Sequence, residues 1–391
     1  MTTCPVADVR LFALLTPRRT GSVSSHVLVR LTSADGAVGW GELSDLDCYR
    51  MFMPDLGALH AAVTRVVIGY DAHNLTELHR RLGALLPDYR HCARTYPPFS
   101  LESQLAAAIE MACLDLSGRA LGRSVSELLG GGGRATLPVA YPLFSSSIDH
   151  SRAVDEFAPV EFALSRGVSI FRYYVGPDDD ASRTFLHTLV DRYRGRVTLK
   201  ALDFGSRFHW KSVLRFLRSL DGVEPALVES ASWREDYNGL AQLRRAIDVD
   251  VCEHVSCTSQ LLRMIRAEAI DVANITIQSG GLYPARQLFD LAHAAGINCL
   301  LGTTQELSLG TSAGAHLAAT VADVAHPADT VGPLLYTVDP AVTPVHFEHG
   351  ELVVPTGPGL GIEIDEARLD QLAGDLVDWE HPAHGEHYAA R

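Results

Sequence analysis

The chain has 391 residues, 47% hydrophobic and 20% charged, enough to bury a large core and long enough for two domains. A formal net charge of −14 and a pI near 5.6 argue against a nucleic-acid partner, which would want a basic face. No stretch approaches the roughly 18 uncharged apolar residues of a membrane span, and the opening MTTCPVADVR lacks the basic segment and apolar core of a signal peptide, so a cytoplasmic location is the expectation.

The first part is rich in strand patterns, at 9–15 and 25–31, joined to 38–42 through Ala34-Asp35-Gly36, whose Asp-Gly pair suits a hairpin. Apolar residues at three- and four-residue spacing predict helices at 56–67, 75–86 and 101–121. The glycine run from Gly130 to Gly133 marks a boundary. Beyond it, strands at 137–141, 169–175, 197–203, 226–229, 249–252, 272–277, 298–301 and 321–324 alternate with helices. That is the arithmetic of a parallel (β/α)8 barrel, whereas an open doubly wound sheet would want a GxGxxG turn after its first strand. The plan is an α+β unit at 1–130, a barrel at 131–325, and a tail at 326–391 that returns to the first unit.

Two of these strands end on acids. The run 197–203 closes on Asp203, with Gly205 and Ser206 just after it, and Ala226-Leu227-Val228-Glu229 repeats the pattern. At the carboxyl ends of neighbouring strands the two carboxylates lie side by side, and a divalent cation that prefers oxygen, such as Mg2+, relieves their repulsion. The alternative is that each acid caps the helix after it. Seven scattered cysteines without a CxxC pair suggest neither a disulfide framework nor zinc, and lysine occurs only at Lys200 and Lys211. A mechanism needing two active-site lysines is already in difficulty.

Four stretches, GWGE at 39–42, AIEMACLDLSGRALGRSVSELLGG at 108–131, GTTQELSLGTSAGAHLAA at 302–319 and GPGLGIEID at 357–365, resemble the enolase superfamily, in its mandelate racemase and muconate lactonizing branch. The resemblance implies a modified TIM-type barrel under an α+β capping domain built from both chain ends. It also implies three strand-end acids holding a Mg2+ that stabilises the enediolate formed when a proton α to a carboxylate is removed. Asp203 and Glu229 match the first two ligand positions. The third falls in Cys252-Glu253-His254-Val255, where strand alternation points His254 inward and Glu253 away. An imidazole is softer than Mg2+ prefers, so the ion is expected to be weakly held, different or absent.

The Lys-x-Lys pair of the family's second barrel strand aligns with Arg172 and Tyr174, which share strand parity and face the interior. Arginine keeps its charge but can pair with a carboxylate or lower the pKa of a phenol, which makes Tyr174 the leading acid or base; the alternative is an aromatic filling the barrel. On the opposite face, where relatives carry a lysine or histidine, the chain has Thr276 and no histidine near 300–302. Glu306 is expected either to contact substrate or to begin a helix. The segment from Asp203 to His209 is similar to the DFHGRVH motif of sugar-acid dehydratases, with Gly205 in place of the acid histidine, leaving Arg207 as a substrate contact and His209 as a candidate acid.

With one acid–base face, elimination from a small hydroxy acid is expected ahead of racemisation. A racemase or epimerase, a cycloisomerase, or a barrel that has kept the fold for a binding role are the alternatives. The expected partners are a small carboxylate substrate and further copies of the chain in a homo-oligomer, with neither nucleic acid nor membrane. Specificity is expected from loops 17–25 and 47–55, with Arg18, Arg19 and Arg50 either anion contacts or surface charges.

Overall fold

The computed structural model describes residues 3–46, 53–86, 99–145 and 155–374, so Arg50 and most of loop 47–55 lie outside the described residues. The first unit contains β1 (Val6–Pro17), β2 (Val23–Ser33), β3 (Val38–Leu43), α1 (Leu56–Val67), α2 (Leu75–Leu85), α3 (Leu101–Leu121) and α4 (Val125–Leu128). The strands form an antiparallel sheet in the order β1-β2-β3. Helices α1 and α3 coincide with the spans predicted from apolar spacing. Ser100 and Ser103 form a reciprocal capping box at the start of α3, and Gly122, at φ 63°, ends it in the left-handed region.

The GWGE stretch has a steric meaning. Helix α3 lies so close to β3 that a Cβ on Gly39 would come within 2.3 Å of Ala112 O, and one on Gly41 within 1.9 Å of Ala108 O. Buried Asp115 then ties three parts of the chain together, accepting from Trp40 N at 2.9 Å, Arg119 Nε at 3.0 Å and Leu360 N at 2.7 Å.

The rest of the chain forms β4 (Thr136–Pro138), β5 (Tyr141–Phe144), α5 (Ala158–Ser165), β6 (Ile170–Tyr174), α6 (Asp179–Arg192), β7 (Thr198–Asp203), α7 (Trp210–Arg218), β8 (Leu227–Glu229), α8 (Tyr237–Arg244), β9 (Asp250–Val255) and α9 (Thr258–Arg266). There follow β10 (Val272–Ile275), α10 (Leu282–Ala294), β11 (Asn298–Leu301), α11 (Ser308–Thr320), α12 (Gly332–Leu335), β12 (Phe347–Glu348), β13 (Glu351–Val353) and α13 (Glu366–Gly374). Strands β5 to β11 make one parallel sheet in chain order.

The sheet closes through residues 325–329 rather than through the strand expected at 321–324. Ala325 N and Asp329 N donate to Cys299 O and Leu301 O of β11, at 3.0 and 2.9 Å, while Ala328 exchanges hydrogen bonds with Pro138 and Ala140 on the other side. The chain is thus a modified (β/α)8 barrel, with its eighth strand reduced to a short extended segment. Helix α13 packs on β1, and Arg30 meets Glu366 at 3.4 Å, so the C-terminal segment completes the capping domain. No helix of the described residues is long and apolar enough to cross a membrane.

The capping domain is pinned to the barrel by Glu42, which accepts from Leu307 N and Gly310 N at the start of α11, both at 2.8 Å. Burial pushes the Glu42 carboxyl up to about 8, against the pull of those two N–H groups.

Candidate active site

Alternation along the strands builds the site in layers. Ala201, Leu227, Cys252, Val272 and Leu300 form a buried apolar floor inside the barrel. Two residues further along stand Asp203, Glu229, His254 and Asn274, a polar layer that Gly302, just past β11, leaves without a side chain. Tyr174 pairs in register with Asp203, and Asp203 with Glu229, so the acids are lateral neighbours at the barrel mouth.

Arg172 lies between them. Its Nη2 donates to Asp203 Oδ2 and, at 2.9 Å, to Glu229 Oε1, while its Nη1 donates to Asp329 Oδ2 at 3.0 Å. All four side chains are buried. Burial alone would lower the Arg172 pKa, but Glu229, Tyr174, Asp203 and Asp329 raise it well above its ordinary value. For Glu229, burial acts upward and is outweighed by Arg172 and the hydrogen bond from His254, which hold the carboxyl at about 2. For Asp203, burial prevails over Arg172 and the pKa is raised.

Further groups complete the cluster. His254 Nε2 lies 2.9 Å from Glu229 Oε1, Asn274 Nδ2 donates to the same oxygen at 2.7 Å, and Lys200 Nζ donates to Asp329 Oδ1 at 2.6 Å. Glu253 turns away, accepting from Ser230 Oγ at 3.0 Å and His254 N at 2.8 Å. The Tyr174 ring lies against the Arg172 guanidinium at 4.7 Å and stacks on Phe144 at 4.6 Å, whereas Tyr173 points outward and stacks on Phe185. From the capping domain, Phe99 sets its ring edge-on to His254 at 6.1 Å.

The remaining predicted residues scatter. Thr276 is buried beside Ser279, with Oγ atoms 3.3 Å apart. Arg207, half-buried at the rim, donates to Val175 O at 2.7 Å and has no carboxylate contact among the described residues. His209 caps α7, its Nδ1 accepting from Lys211 N, and its ring lies against Trp210 and Trp233. Glu306 is engaged within its own turn, accepting from Thr304 N at 2.9 Å and from the Thr303 and Thr304 hydroxyls. Arg18 bonds Asp45 and Gln305 at the seam between cap and barrel, and Arg19 donates to Leu334 O at 3.0 Å.

Sequence reasoning missed Lys200, Asp329 and Asn274. Lys200 is out of step with Asp203 by simple alternation, but β7 carries an extra residue opposite the Phe171–Arg172 step, and that bulge brings the lysine to Asp329. Asp329 was hidden by the misplaced eighth strand, and Asn274 precedes Thr276 by one interior position.

The donor set does not fit the Mg2+ that the resemblance implies. Among the described residues no group of three or more His, Cys, Asp or Glu side chains is arranged to hold a metal ion. The oxygens of Asp203 and Glu229 that face one another converge on a guanidinium nitrogen, and the third position is an imidazole.

Comparison with known proteins assigns the lineage. Residues 3–130 match the mandelate racemase / muconate lactonizing enzyme N-terminal domain, and residues 160–368 the enolase C-terminal domain-like family. Muconate cycloisomerase 1-1 of Acinetobacter lwoffii is 31% identical over 356 residues, covering 89% of each chain. The N-succinyl-L-Arg/Lys racemase of Bacillus cereus is 25% identical over 383 residues, 94% of this chain and 97% of that one. A crystal structure of muconate cycloisomerase from Pseudomonas fluorescens superposes with a TM-score of 0.81 at 25% identity, covering 95% of this chain and 99% of that one. The chain belongs to the mandelate racemase and muconate lactonizing enzyme branch of the enolase superfamily.

Proposed function

We propose that the protein is an isomerase that moves a proton at the carbon next to a carboxylate, with cyclisation of an unsaturated acid favoured over inversion of a stereocentre. This replaces the elimination expected from sequence, because the relatives described above are named cycloisomerases and a racemase. The observation that carries the choice between cyclisation and inversion is the one-sidedness of the site. Tyr174 stands on β6, while across the barrel β10 and β11 offer Asn274, Thr276 and Gly302, none of which can take or give a proton near neutrality, and His254 of β9 beside them is engaged with Glu229 Oε1 at 2.9 Å. Inversion needs groups on both faces; ring closure by an attacking carboxylate needs one proton delivered to the carbon that becomes carbanionic.

In this reading Arg207 anchors a substrate carboxylate, since among the described residues its guanidinium hydrogen-bonds only to main-chain carbonyls. Tyr174 delivers the proton, with the charged Arg172 beneath its ring stabilising the phenolate left behind. Gln278, buried in the turn after β10 with neither amide atom hydrogen-bonded among the described residues, is a further group a polar substrate would satisfy. The test is a panel of unsaturated dicarboxylates and N-acyl amino acids incubated in D2O and followed by NMR. Ring closure with a single deuterium incorporated supports the reading; loss of water or another leaving group, or inversion without cyclisation, counts against it.

A further inference from the structure

A metal site of the family type needs carboxylate oxygens that converge on an open point. In this chain the point is held by Nη2 of Arg172, bonded to Asp203 Oδ2 and Glu229 Oε1. Nη1 reaches a third carboxylate, Asp329, whose other oxygen is held by Lys200. Arginine does not lose its proton in proteins, so this charge is permanent. The guanidinium is also fixed in orientation, by three carboxylates from separate segments and by the Tyr174 ring 4.7 Å away.

We infer that Arg172 is the resident cation of this barrel: it holds the place between Asp203 and Glu229, so that the wild-type protein takes up no divalent ion there and removal of the guanidinium uncovers a latent divalent-cation site. A dication entering beside Arg172 would meet a like charge at contact distance in a buried environment, where such repulsion is poorly screened. To bind, it would have to displace the buried Nη2 from both Asp203 and Glu229. With Arg172 gone, by contrast, Asp203 and Glu229 face each other without the guanidinium between them: Asp203 Oδ2 loses that donor, Glu229 Oε1 keeps only His254 and Asn274 of the contacts described above, and Glu229 Oε2 already lacks a hydrogen-bond partner among the described residues. Two adjacent carboxylates with spare oxygens are the minimum a hard divalent ion uses.

The test reads metal binding and is independent of turnover. Full-length wild-type protein, Arg172→Ala and Arg172→Gln are stripped with EDTA and titrated with Mn2+, bound ion being counted by electron paramagnetic resonance, with circular dichroism as a check of folding. The expectation is no specific uptake by wild type up to about 1 mM Mn2+. The variants should take up one ion per chain, at least about 10-fold more tightly, with that gain lost on adding Asp203→Asn. Wild-type protein that binds one Mn2+ per chain, and loses it in Asp203→Asn, overturns the inference whatever the arginine variants do. A folded Arg172→Gln that binds no ion overturns the latent site, and if neither arginine variant folds the wild-type titration still decides who holds the centre.

Discussion

Arg172 Nη2 and Glu229 Oε1 lie 2.9 Å apart at the centre of the barrel mouth, and that pair organises everything around it. Glu229 Oε1 also meets His254 and Asn274, so one oxygen gathers groups from β6, β9 and β10. Asp203, Glu229 and Asp329 stand against Arg172 and Lys200, with the His254 ring on Glu229.

Removing one member should therefore cost far more than a surface ion pair. Arg172→Met leaves buried carboxylates without their counter-charge and is expected to destabilise the fold by about 3–5 kcal/mol. Urea denaturation checks it, and Arg172→Met combined with Asp203→Asn should recover part of the loss. A loss below about 1 kcal/mol, the scale of exposed pairs, would show that the cluster does not hold the barrel mouth together.

Tyr174→Phe should lower turnover by about 100-fold or more while leaving the urea midpoint nearly unchanged, because it removes a hydroxyl and keeps the ring stacked on Phe144. Full activity in that variant would reduce Tyr174 to packing.

Arg207→Gln should act on binding. Loss of one charge-assisted contact to the substrate predicts a rise in KM of about 10-fold or more with kcat changed little. A fall in kcat at constant KM would place Arg207 in the chemical step instead.

Glu42 gives a pH dependence with a definite sign. Its carboxyl sits at about 8 in the folded chain against an ordinary 4.5. Between those values the folded state holds the proton that the unfolded state has released, so stability falls as pH rises through this window. Glu42→Gln should remove that component: wild-type melting temperature should decline from pH 5 to pH 8 more steeply than the variant's. Parallel curves would mean that Leu307 N and Gly310 N keep Glu42 ionised throughout.

The sequence carried the architecture because its signals are periodic. Alternation placed Asp203, Glu229, Arg172, Tyr174 and His254 on interior-facing positions, and apolar spacing delimited α1 and α3. The limits lay where periodicity breaks. A single-residue bulge in β7 turned Lys200 toward Asp329, and the closing segment at 325–329 is too short and too polar to read as a strand. Pairwise chemistry was also hidden, since nothing in the order of residues says that the arginine replacing a lysine would sit between the two acids rather than above them.

Arg172 stands where the family resemblance implies a dication, and proton transfer next to a substrate carboxylate is expected to proceed without one. The most direct measurement is deuterium incorporation from D2O at the carbon next to the carboxylate of a turned-over substrate, followed by NMR in protein stripped with EDTA and again after Mg2+ is restored. The account predicts the same incorporation rate in both, with loss of about 100-fold or more in Tyr174→Phe. Incorporation that stops in EDTA and returns with Mg2+ would contradict it.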